Sequence, residues 1–123
     1  MTDITYENLI EKVSRMFPEY LETDFYKYSD NTLNYSYFGG FILFIVDLIN
    51  KSDKLEEDED IKKAFELINY MIDQGDKLAN LAVVEGIEGL VQEKKSKEVA
   101  KKLLNESGQK LMVEVLKTTG IQD

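Results

Sequence analysis

At 123 residues the chain has the length of a single domain, and its 43 % hydrophobic and 32 % charged residues are globular rather than disordered or membrane-spanning composition. Cysteine and histidine are both absent, which removes disulfides, thiolate chemistry, the common zinc ligands and the usual general base. A net charge of −9 with one arginine, Arg15, repels a phosphate backbone and supplies no bidentate base reader, so nucleic acid is not an expected partner.

The charge is uneven. Residues 1–93 carry 20 acids against 8 bases, whereas residues 94–123 carry 4 acids and 7 bases. The anionic field therefore belongs to the first three quarters of the chain and suits a basic partner. The start, Met1-Thr2-Asp3-Ile4-Thr5-Tyr6-Glu7, lacks the basic and apolar regions of a signal peptide. The most apolar run, Tyr37 to Val46, is about half of what a spanning helix needs. No membrane partner and a cytoplasmic location are expected.

The periodicity is helical nearly throughout. Leu9, Ile10, Val13, Met16 and Phe17 form a helical stripe, with Thr5 as its N-cap. Pro18 suits the first position of a second, short helix reaching Tyr28. Ser29-Asp30-Asn31-Thr32 reads as a loop, because all four side chains compete for nearby backbone groups. The run from Phe38 to Ile49 is apolar on nearly every face and predicts the central, most buried helix; a strand is the competing reading, weakened by the absence of alternation. Asn50 to Asp60 reads as an acidic loop leading into a helix over about Glu57–Gln74, with Asp58, Glu59 and Asp60 in its first turn. Gly75 stops that helix, and Asp76 is expected to cap the next, which carries Leu78, Leu81, Ala82, Val84, Ile87 and Val91. Gly86 and Gly89 interrupt it at about 1 kcal/mol each, which predicts close packing of another element there. Two short helices follow, about Ser96–Asn105 and Ser107–Thr118, burying Val99, Leu103 and Leu104, then Leu111, Val115 and Leu116. The expectation is an all-α single domain over residues 1–123, of about six helices, with a HEAT-like helical hairpin around Gly75-Asp76.

Little in the chain carries chemistry. Asp53 and the acids of 56–60 lack the glycine and ligand spacing of a calcium loop. Glu85 and Glu88 stand three apart on one helix, too close to flank a sugar, and no histidine completes a di-metal site. Glu88 reads instead as a buried or half-buried anchor, with Asn80 as its hydrogen-bonding partner. No phosphate loop, nucleophile elbow or Ser-Lys pair can be placed, so no catalytic residue, cofactor or metal is expected and the protein is read as no enzyme. Tyrosine is the exception to this plainness. Six of seven, Tyr6, Tyr20, Tyr26, Tyr28, Tyr35 and Tyr37, precede residue 40, interleaved with Glu19, Glu22, Asp24 and Asp30. Tyrosine beside carboxylate offers a large contact area and a charge partner for lysine or arginine. The rings could equally do no more than cover the edge of the core.

Several stretches together carry a resemblance: Phe17-Pro18-Glu19-Tyr20, then Tyr37-Phe38-Gly39-Gly40-Phe41 leading into an apolar helix, then Gly75-Asp76 with Asn80-Leu81-Ala82-Val83-Val84-Glu85-Gly86-Ile87-Glu88-Gly89-Leu90. The chain is similar to an uncharacterised bacterial family of small, acidic, helical proteins, some of them immunity proteins beside polymorphic or contact-dependent toxins. The resemblance implies a helical fold and an immunity role; it implies no catalytic residue and names no toxin. The expected function is therefore a monomeric, non-enzymatic inhibitor of a cognate toxin domain, with a basic nuclease-type cleft as the fitting target. Its expected contact residues are Glu22, Asp24, Tyr26, Tyr28, Asp30 and Tyr35, extending onto Glu56, Glu57, Asp58, Glu59 and Asp60. The alternative is a regulatory or adaptor protein acting through helical contacts or homodimerisation.

Overall fold

The structure, a computed structural model, describes residues 3–121 and, of Glu56, the backbone alone. Helix α1 (Leu9–Met16) is followed by a 3-10 turn (Pro18–Glu22), α2 (Asp24–Lys27) and the long α3 (Asn34–Lys51). A second 3-10 turn (Leu55–Glu57) precedes α4 (Glu59–Gln74). Helix α5 (Asp76–Leu81) runs through a π-helical segment (Ala82–Ile87) into α6 (Glu88–Leu90), and α7 (Lys94–Leu103) and α8 (Glu106–Thr119) complete the chain. The protein is an all-α single domain, and the described residues contain no strand. Helix α4 packs along α5 and the π segment, forming the hairpin expected at Gly75.

Helix α3 is the axis of the molecule. It contacts α1, α2, α4, the π segment, α6 and α7, and it buries Tyr37, Phe38, Phe41, Ile42, Phe44, Ile45, Val46 and Ile49. A helix apolar on most faces needs neighbours on most sides, and here it has them. From α4 come Ile61, Ala64, Phe65, Leu67, Ile68, Met71 and Ile72. The core is almost free of polar side chains. Ser96 is the buried one among the described residues, and its hydroxyl donates to the Leu90 carbonyl at 2.5 Å.

Helix ends account for most departures from the sequence reading. Thr5 caps a turn one step before α1: its Oγ1 accepts from Asn8 N at 3.2 Å while Asn8 Oδ1 accepts from Thr5 N at 2.7 Å. The expected helix from Pro18 to Tyr28 is broken at Thr23, whose extended backbone ends the 3-10 turn and whose hydroxyl oxygen accepts from Tyr26 N to start α2. Asp58 is the N-cap of α4, accepting from Ile61 N at 3.1 Å, so that helix starts at Glu59. Asp76 caps nothing. It is the first residue of α5 at φ 50, after Gly75 at φ 74, two successive left-handed residues that reverse the chain.

The rod from Asp76 to Leu90 differs most. Its π segment carries six residues on wider turns, which re-aims every side chain that follows. Val84, expected in the core, is 46 % exposed. Glu88 is half-buried, as expected, but Asn80 is exposed and no hydrogen bond joins the two among the described residues. Of the two glycines, only Gly89 is closely packed: a Cβ there would come within 2.8 Å of Ile42 Cγ2, whereas one at Gly86 would meet Phe38 at 3.6 Å. Leu103 is likewise more exposed than expected, at 37 %. Gln109 from α8 closes the far end of α7, donating to the carbonyls of Ala100, Lys101 and Leu104.

Candidate partner-binding face

The tyrosine-rich segment has a buried layer and an exposed one. Tyr20 is its hub, edge-on to Tyr26, Tyr37 and Phe41 at centroid distances of 5.5, 5.3 and 5.7 Å. Such pairs contribute about 0.5–1.5 kcal/mol each beyond their burial. The Tyr20 hydroxyl donates to the Tyr37 carbonyl at 2.7 Å, and burial pushes its pKa well above the usual phenolic value. Burial likewise pushes Tyr37 up to about 12, against the opposing effect of its hydrogen bond to Ser14 at 2.8 Å. Neither phenol is a surface group. Tyr26 is half-buried against both, and its hydroxyl accepts from Asn31 Nδ2 at 2.8 Å.

Above this layer the chain offers Glu22, Asp24, Tyr28, Asp30 and Tyr35, all exposed, with Tyr28 at 88 %. Asp30 is held in a turn: its Oδ1 accepts from the Thr32 hydroxyl at 2.6 Å and from Thr32 N at 3.0 Å, and these bonds lower its pKa. A fixed, ionised carboxylate thus stands two residues from an exposed phenol ring.

The acidic loop is divided in role. Glu57 and Glu59 are exposed, Glu59 lying 3.7 Å from Lys62, while half-buried Asp58 is committed to capping α4. The side chain of Glu56 lies outside the described residues. Asp60 lies 3.8 Å from Lys63, whose ammonium also donates to the Met16 carbonyl and sits 4.8 Å over the Phe17 ring. Lys63 thereby ties the start of α4 to the residue preceding Pro18, where the tyrosine segment begins.

A third feature escaped the sequence reading. Glu85, in the middle of the π segment, lies against Gly39 of α3, so that a Cβ at residue 39 would stand 3.3 Å from its Oε2. Burial, and then the charge of Glu88, raise its pKa. The two carboxylates were visible as a pair three apart, but nothing in the sequence sets residue 85 beside residue 39. No group of acids among the described residues is arranged to hold a metal ion, and no described helix is long and apolar enough to cross a membrane.

Residues 7–118 match a domain of unknown function, DUF7674. The chain belongs to that family. No curated protein and no solved structure gives a significant match. The DUF7674 match runs from the turn before α1 to the last turn of α8, so the tyrosine segment, the acidic loop and the Glu85–Gly39 contact all lie within the family's domain.

Proposed function

We propose that this protein is a non-enzymatic immunity protein that binds and neutralises a cognate bacterial toxin domain in the cytoplasm, acting as a monomer. The observation that carries the reading is the exposed ring of Tyr28 between the exposed carboxylates of Asp24 and Asp30, on a segment pinned by buried Tyr20 and Tyr37. Rigid support beneath an exposed aromatic ring lowers the entropy lost on binding, and flanking acids steer a basic surface towards it. A nuclease-type toxin with a cationic cleft is the fitting target for a chain of net charge −9.

The test is co-purification with a candidate toxin domain from a neighbouring reading frame, followed by rescue of cells expressing that toxin. Asp24→Lys with Asp30→Lys is expected to slow association and abolish rescue; because Asp30→Lys also removes the turn bonds to Thr32, a melting curve checks that the variant still folds. Lys101→Glu with Lys102→Glu is expected to change little. The absence of both complex and rescue overturns the proposal. A concentration-dependent homodimer that covers Tyr28, seen by light scattering, moves the reading to a regulatory protein acting through self-association.

A further inference from the structure

Helix α3 leaves one strip of its surface uncovered. Tyr35, Gly39, Leu43, Asp47 and Lys51 recur at every fourth position and so lie one above another. Tyr35 is 55 % and Leu43 54 % exposed, on a helix whose other faces are buried. Between them Gly39 leaves a gap one side chain wide, and Glu85 fills its edge from the π segment, with Val84 exposed beside it. No lysine or arginine among the described residues pairs with Glu85 or with Glu88. By contrast Asp47, further along the same strip, is paired with Lys51 at 2.8 Å.

The Glu85 carboxylate has lost part of its hydration and still reaches water, and a cationic or hydrogen-bonding partner would restore what burial removed. π segments are costly interruptions of a helix and concentrate at functional sites. Glycine inside a helix costs about 1 kcal/mol relative to alanine, yet at Gly39 it keeps the approach to the carboxylate open. We infer that the strip is a docking face for a protein segment that sets one lysine or arginine against Glu85 at the Gly39 gap, with apolar side chains beside it resting on Tyr35, Leu43 and Val84. Charge selects this occupant over a second copy of the chain. The region that carries the strip holds 20 acids against 8 bases, and Glu88 adds a second anion beside the first. The inference goes beyond the immunity reading and stands without it, because it specifies the chemistry of the bound segment and needs no toxin.

A random peptide library displayed on phage and panned against the full chain tests it. Enriched peptides are expected to carry a lysine or arginine flanked by apolar residues. Their affinity is expected to fall about tenfold or more in Glu85→Gln and in Gly39→Leu, because each removes or blocks the partner of a partly buried charge. Glu106→Gln, on α8, is expected to leave it within about twofold, as exposed charges contribute little. The Cβ of Gly39→Leu meets the free end of the Glu85 side chain, and circular dichroism checks that the variant folds; if it does not, Glu85→Gln and Tyr35→Ala decide. Failure to enrich any peptide, binders lacking a basic residue, or binders unaffected by Glu85→Gln overturn the inference. So does self-association that Leu43→Glu abolishes, which assigns the strip to a second copy.

Discussion

Gly40 is the glycine at which an added side chain would be most obstructed. A Cβ there would stand 2.5 Å from the Tyr20 hydroxyl oxygen and 2.8 Å from the Phe25 carbonyl oxygen, and the second of these is backbone. The absent side chain lets the segment of Pro18–Lys27 lie directly on α3, which holds the exposed layer of Tyr28 and Asp24 in place. Gly40→Ala is expected to destabilise the protein by about 1–3 kcal/mol, read as a shift in the denaturation midpoint. Tyr20→Phe removes the bond to the Tyr37 carbonyl and is expected to cost about 1 kcal/mol. The double variant should cost less than the two together, because loss of the hydroxyl clears one of the two obstructions. Strict additivity would show that the hydroxyl is not what excludes a side chain at residue 40.

The π segment decides how the rod of residues 76–90 meets α3. Gly86→Ala adds a methyl at ordinary contact distance from Phe38 and is expected to stabilise the protein by up to about 1 kcal/mol. Gly89→Ala drives its methyl into Ile42 and is expected to destabilise by about 1 kcal/mol, an overpacking cost of roughly 1–3 kcal/mol reduced by the same gain in helix propensity. Thermal melting of the pair checks the contrast; shifts of the same sign would remove close packing as the reason for Gly89. In sequence the two glycines read alike. The apolar spacing located α3, α4 and the two C-terminal helices to within a few residues, because period and caps act locally. It could not show the π segment, which turned Val84 outward; Asn80 and Glu88, eight residues apart, stand about 12 Å apart along any α-helix and could not have bonded directly. Asp58 rather than Glu57 caps α4 because the shorter aspartate side chain suits the N-cap position, where it accepts from Ile61 N.

For the molecule as a whole, two carboxylates pull the pH profile in opposite directions. Glu85 titrates above the usual range in the folded chain, so the folded state binds more protons there and stability falls as pH rises from about 4.3 through its folded value. Asp30 titrates below the usual range, so its contribution is present above about 3.9 and lost as pH falls further; full exposure screens it. The expected outcome is that Glu85→Gln melts higher than the natural chain near neutrality and that the gap closes as the pH is lowered through the folded-state titration of Glu85. A constant gap between the two melting curves would remove Glu85 as the titrating group. Neighbouring acids did not by themselves mark which tyrosines are exposed, since Tyr20 stands one and two residues from Glu19 and Glu22 and is buried while Tyr35 has no adjacent acid and is exposed. Nor was the Glu85–Gly39 contact legible, since only the tertiary fold joins residues 46 positions apart.

The central place of α3 also bears on how the chain is made. Its apolar turns leave the ribosome after α1 and α2 but before α4, the π segment, α6 and α7, which supply much of its cover. At roughly 5–20 residues per second that cover takes several seconds to emerge, and a helix apolar on most faces is open to chaperones and to aggregation throughout the interval. A pause in synthesis after α3 has emerged and before α4 to α7 have would prolong that exposure, whereas a pause once those helices are outside the ribosome would come when α3 is already sheltered.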